Sequence, residues 1–174
     1  FNADPEALPY QSPDYFDWIC EQGGFEDASR YYLLDDGQEM ILPLVKRRGM
    51  PSRFASAGSY PGSWGIGGIL KTAERSAEDM QVIFGDLMHL PYASISIQPN
   101  PRMGPYWEAA APKSAISIPR LAHVLDIRSG FDDIWNHHFA KQTRMMVRRA
   151  ERRGVTVERD TTGRLMPIFY ELYR

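Results

Sequence analysis

One cysteine in 174 residues, Cys20, leaves no internal disulfide and no cysteine metal cluster, which fits a reducing compartment and sets the expectation of a cytoplasmic protein. Acids precede it on its own segment, Asp17 among them, so a reactive thiolate there is not expected. No apolar run is long enough to cross a bilayer, so no membrane span is expected. The chain opens on Phe1 without a basic, apolar and small-residue signal, and its natural start is expected upstream. Cations are scarce at the beginning: residues 1–40 hold ten acids against Arg30 alone. That imbalance excludes a general nucleic-acid coat and favours one local anion site elsewhere. No Gly-Lys-Ser/Thr follows the glycines of GSYPGSWGIGGIL, and their spacing makes no dinucleotide fingerprint. No serine occupies a nucleophile elbow, and His137-His138 has no third ligand at metal spacing, so no metal site is expected and no catalytic group can be named from spacing.

What is present reads as alternating local elements. Ser12 as cap and Pro13 at the first helical position open a helix over 11–23 with Tyr15, Trp18 and Ile19 on one face. Asp36-Gly37 between YYLLD and MILPLV predicts a hairpin over 31–45, with Pro43 placing its second strand at an edge or bulge. A weaker strand is expected over 53–58. The glycine-rich stretch 58–70 carries Tyr60 and Trp64, either as a loop that approaches a ligand or as plain turns between strands. Ser76 and Asp79 cap a helix over 76–90, and Tyr92 to Gln98 alternates Ile95 and Ile97 with Ser94 and Ser96 as a half-buried strand. The proline-rich piece 99–112 reads as a loop, 123–127 and 155–158 as strands, and 165–174 as a final helix without a C-terminal cap, from which further chain is expected beyond Arg174.

The densest charge lies over 141–153, where Lys141, Arg144, Arg148, Arg149, Arg152 and Arg153 face one acid, Glu151. Helical spacing puts Lys141, Arg144, Arg148 and Arg152 on one stripe and Phe139, Thr143, Met146, Val147 and Ala150 on another. Arginines near a helix C-terminus complement its dipole, which accounts for Arg149, Arg152 and Arg153 but not for Lys141 and Arg144 at the opposite end. Like charges four apart each cost about 0.2–0.5 kcal/mol, so the stripe is read as a candidate anion site of Lys141, Arg144 and Arg148. If so, Arg144→Ala is expected to leave folding intact.

Several blocks resemble a known family: YQSPDYFDWICEQGG, LLDDGQEMILPLVKRR, GSYPGSWGIGGIL, then AHVLDI, FDDIW and KQTRMMVRRAERRGVTVE. Together they resemble the FemAB-like branch of the GNAT acyltransferase superfamily, which includes peptidoglycan-bridge aminoacyltransferases. The resemblance implies an α/β, GNAT-like fold with a mainly antiparallel central mixed sheet flanked by helices. Residues 1–174 would be a single GNAT-like domain, the first half of a tandem pair. It implies acyl or aminoacyl transfer to an amine of a cell-envelope precursor, with acyl-CoA or aminoacyl-tRNA as donor and a second GNAT-like domain as partner. The superfamily's pyrophosphate signature is absent, Gly62 standing where Arg or Gln is needed, so this half is expected to bind no cofactor alone. The implied substrate contacts are Tyr60, Trp64, Lys141, Arg144 and Arg148, toward an anionic small molecule or precursor, with tRNA as a further partner. Two other readings stand beside this one, a non-catalytic binding module of the same fold and an RNA-binding domain built on the basic helix.

Overall fold

Ser12 and Pro13 begin the first helix, α1 (Pro13–Gln22): the Ser12 hydroxyl accepts the Tyr15 amide at 3.3 Å, and proline takes a position whose N–H has no helical partner anyway. The chain leaves α1 through Gly24, at φ +70°, into β1 (Phe25–Asp27). A hairpin follows, β2 (Arg30–Leu33) against β3 (Glu39–Leu42), in the register Arg30↔Leu42 to Leu33↔Glu39. Gly37 turns it at φ +79°, and Asp36 accepts the Gln38 amide at 3.0 Å. Next come β4 (Val45–Arg47), β5 (Ser56–Gly58), β6 (Leu70–Lys71), α2 (Ala77–Leu87), β7 (Ser94–Ser96) and α3 (Gly104–Ala110).

The computed structural model describes residues 1–61, 64–74 and 76–174, and these divide into two compact units, Phe1–Ala122 and His123–Arg174. The class is α/β. In the first unit the described strands form two small sheets, β1-β4-β5-β7 and β2-β3-β6; their pairings are antiparallel except β5 with β7, and Gly67 and Pro99 add an isolated parallel bridge. Along β3 burial alternates, with Met40 and Leu42 inward and Glu39 and Ile41 outward, as a strand covered on one face requires. That inward face joins Leu44, Ile69, Met80, Ile83, Leu87, Met103 and Trp107 in the main core beneath α2 and α3. A second cluster of Ile19, Val45 and Tyr60 seats α1 on the four-stranded sheet.

Four local expectations are corrected. Pro43 does not mark an edge: β3 is the central strand of its sheet, and the proline lies just past its end, where the chain passes to the other sheet and no ladder bond is needed from it. Residues 99–112 are not all loop. Pro101–Met103 forms a 3-10 turn leading into α3, where Pro105 occupies the first turn, and Trp107 is buried edge-on to Phe84 with centroids 5.4 Å apart. Residues 53–58 split into a 3-10 turn, Ser52–Phe54, and β5. Residues 123–127 and 155–158 are unpaired rather than strands, because β-propensity favours extended backbone but only a neighbouring strand supplies a ladder.

In the second unit, α4 (Phe131–Asp133) runs into a π-helical turn, Ile134–His138, and is followed by α5 (Lys141–Arg152) and α6 (Met166–Tyr173). The basic segment is helical as its spacing predicts. It stops in a Schellman turn: Gly154 takes φ +75°, the Val155 amide donates to Ala150 O at 3.1 Å and the Gly154 amide to Glu151 O at 2.9 Å. No helix among the described residues is long and apolar enough to cross a membrane.

Candidate functional site

Helix α1 carries Tyr15 and Trp18 one turn apart, so both rings leave the same side of the helix. Trp64, from the glycine-rich stretch, stacks on Trp18 with centroids 5.5 Å apart and an interplanar angle of 30°. Tyr15 also stacks on Trp18, at 5.7 Å, and meets Tyr10 edge-on at 5.6 Å. The Tyr15 hydroxyl donates to the Trp64 carbonyl, pinning the loop to the helix. The result is an open concavity of about 280 Å³ lined by Tyr10, Tyr15, Trp64, Gly65, Ile66 and Gln98.

The glycines serve this arrangement through close approach. A Cβ on Gly65 would lie 3.2 Å from the Tyr10 Cβ, and one on Gly67 would lie 2.9 Å from both Ser59 Cβ and a Tyr60 ring carbon. Glycine at 65 and 67 thus lets the loop backbone press against the protein's own aromatic rings. Two further bonds hold the loop: buried Gln11 donates to Gly68 O at 3.0 Å, and Ser59 Oγ accepts the Gln98 amide at 2.9 Å.

Tyr60 is 5% exposed, and its hydroxyl donates to Tyr10 O at 2.5 Å. Burial, with Tyr15 adding to it, pushes that phenol far above its ordinary pKa, so it stays a donor. Tyr60 therefore supports the concavity from behind, whereas Trp64, 36% exposed, lines it. Asp14, Asp17 and Glu21 stand exposed on α1, in the acid-rich beginning of the chain. Arg47 lies over the Phe25 ring at 5.6 Å, and Phe25 meets Trp64 edge-on at 6.3 Å, so a cation already rests on one end of this aromatic cluster. Burial first, then Asp27 and Asp17, raises the Cys20 pKa, which keeps that thiol protonated.

The other predicted residues belong to the second unit. Lys141 and Arg148 are exposed on α5. Arg144 is half-buried, and its Nη1 donates to the carbonyls of Trp135, Asn136 and Phe139 at 2.9, 2.6 and 2.9 Å. It caps the π-helical turn ahead of its own helix, which explains a cation so near the start of α5. His137 is tied to Asp133 at 2.8 Å, and among the described residues no three His, Cys, Asp or Glu side chains converge as a metal site would require.

Sequence reasoning brought Tyr60 and Trp64 forward but missed Tyr10 and Gln98. Tyr10 follows no periodic pattern, and Gln98 lies on the polar phase of its alternating segment, which marks a face but not a site; it is held at the concavity by Ser59 Oγ, which accepts its amide, and by the Gly67 amide, which donates to its carbonyl at 2.7 Å. Compared with protein-family models, with curated proteins and with solved structures, the chain matches none.

Proposed function

We propose that this chain is the acceptor-holding, N-terminal half of an acyl or aminoacyl transferase acting on an amine, with a GNAT-like fold and a second such domain as its partner. The donor is acyl-CoA or aminoacyl-tRNA, and the acceptor an amine-bearing cell-envelope precursor. The observation that carries this reading is the aromatic concavity of Tyr10, Tyr15 and Trp64 in the acid-rich unit. An amine reaches it as an ammonium cation; an aromatic ring presented face-on attracts such a cation by about 0.5–2 kcal/mol, and the surrounding acids raise its local concentration. Gln98 adds an amide for orientation. Among the described residues, no histidine, lysine or carboxylate lines the concavity, so it suits holding an acceptor and leaves proton transfer to other groups. Lys141 and Arg148, exposed on α5, are assigned to anionic groups of the donor or precursor.

Quenching of tryptophan fluorescence by an alkylammonium ion tests the site, with the neutral isosteric alcohol as control. Saturable quenching by the ammonium alone, lost in Trp64→Ala, supports it; equal response to both compounds sinks the amine assignment. The same lack of an acid or base at the concavity also favours a non-catalytic binding module. Single-turnover transfer from acyl-CoA or aminoacyl-tRNA by the natural gene's product separates the two: no transfer to any amine leaves the module.

A further inference from the structure

The end of α5 holds a second concavity that the acceptor reading does not use. Its Schellman turn folds Val155 back toward Ala150, making an apolar floor with Met146, and Arg149 and Arg153, about 40° apart around the helix, border it along one side; the concavity is about 260 Å³. Met146 and Val155 remain 53% and 59% exposed, so the turn brings them together without burying them. Arg149 and Arg153 are one turn apart, and among the described residues neither guanidinium has a hydrogen bond or ion pair. Glu151 sits about 200° around the helix from each and does not neutralise them. Complementing the helix dipole accounts for arginines at this end; what it does not supply is the exposed apolar surface that these two border. Three carbonyls at this end already accept amides, Arg149 O, Ala150 O and Glu151 O from Arg153, Val155 and Gly154 at 3.2, 3.1 and 2.9 Å, and the two guanidiniums have to outweigh the negative end of the helix dipole that remains.

We propose that this niche binds an oxyanion, carboxylate or phosphate, attached to a compact apolar group. Each guanidinium presents a planar fork that matches two oxygens, and the floor of Met146, Ala150 and Val155 takes the apolar part. The volume sits just under the small-molecule range of about 300–1,000 Å³, which limits the ligand to a small group or to the head and first carbons of a larger one. The site lies wholly within the second unit and is independent of the transferase reading. A soluble phosphate ester and an anionic lipid headgroup present the same chemistry.

The test titrates the 174-residue chain with phenyl phosphate by calorimetry, alongside inorganic phosphate and benzyl alcohol as the two halves of the probe. Phenyl phosphate is expected to saturate at about millimolar or tighter, each half-probe at least roughly tenfold weaker. Arg149→Ala and Arg153→Ala should each weaken phenyl phosphate by roughly tenfold or more without lowering the melting temperature. Val155→Ser should weaken phenyl phosphate while leaving inorganic phosphate unchanged. Competition by phosphatidylglycerol vesicles assigns the natural source to lipid, and no competition assigns it to a soluble ligand. The proposal is overturned if phenyl phosphate fails to saturate, if inorganic phosphate binds equally well, or if neither arginine variant changes the affinity.

Discussion

Trp18 of α1 and Trp64 of the glycine-rich stretch stack at 5.5 Å, and this contact fixes which face of Trp64 the aromatic concavity presents. An aromatic pair of this kind contributes about 0.5–1.5 kcal/mol beyond the area it buries. Trp18→Ala is therefore expected to release Trp64 and weaken alkylammonium binding by roughly two- to tenfold, read by calorimetry. Trp18 is 48% exposed, so the melting temperature should fall far less than a buried-core truncation would produce.

Lys71 Nζ donates to both Asp79 oxygens at 2.9 and 2.8 Å, and both side chains are buried. Asp79 also accepts the Ser76 amide at 2.9 Å, closing the cap of α2, while Asp4 accepts the Lys71 amide at 3.0 Å. Lys71→Met leaves a buried carboxylate without its cation and should cost about 3–5 kcal/mol in urea unfolding. Adding Asp79→Asn should recover part of that loss, because the stranded charge is gone. A double variant no more stable than the single would show that the pair matters through packing alone.

Acid should weaken the first unit through Asp86. Arg30 donates to its two oxygens at 2.8 Å and Tyr32 at 2.9 Å, and the Arg30 bonds above all hold its carboxyl below the ordinary carboxylate range. A depressed folded pKa means the stabilisation is complete above the unfolded value, about 3.9, and is lost as pH falls through the folded one. Asp86→Asn should thus flatten the acid limb of the urea midpoint plotted against pH. At neutral pH it should cost no more than about 1 kcal/mol, since both partners are reached by water.

Arg144 is expected to matter for folding. Its three carbonyl bonds to residues 135–139 make Arg144→Ala lose about 1.5–3 kcal/mol locally, the scale of hydrogen bonds from a charged donor. Hydrogen exchange at residues 131–152 is the measurement, with Arg148→Ala as control, because Arg148 is exposed and should leave exchange unchanged. Equal protection in both variants would refute the capping role.

Much of the local structure was legible because its causes are local. The Ser12-Pro13 and Ser76-Asp79 caps, the Asp36-Gly37 turn and the Gly154 stop each act within a few residues, and each element formed where those residues put it. Prolines misled where their neighbours were ignored: Pro105 begins a helix and Pro43 ends a strand. The strands expected over 123–127 and 155–158 failed for the opposite reason, since alternation describes a face but supplies no partner.

The sequence by itself determined where helices start and stop, the hairpin, and the opposition between an acidic beginning and a basic α5, because caps, turns and charge are carried by the residues themselves. Only the tertiary structure decided that Tyr60 would support while Trp64 lines, that Gln98 would join Tyr10, and that Arg144 would be spent on carbonyls while Arg149 and Arg153 found no partner among the described residues. The physical reason is that a ring or a guanidinium has no role until something lies opposite it, and what lies opposite is set by chain closure rather than by spacing.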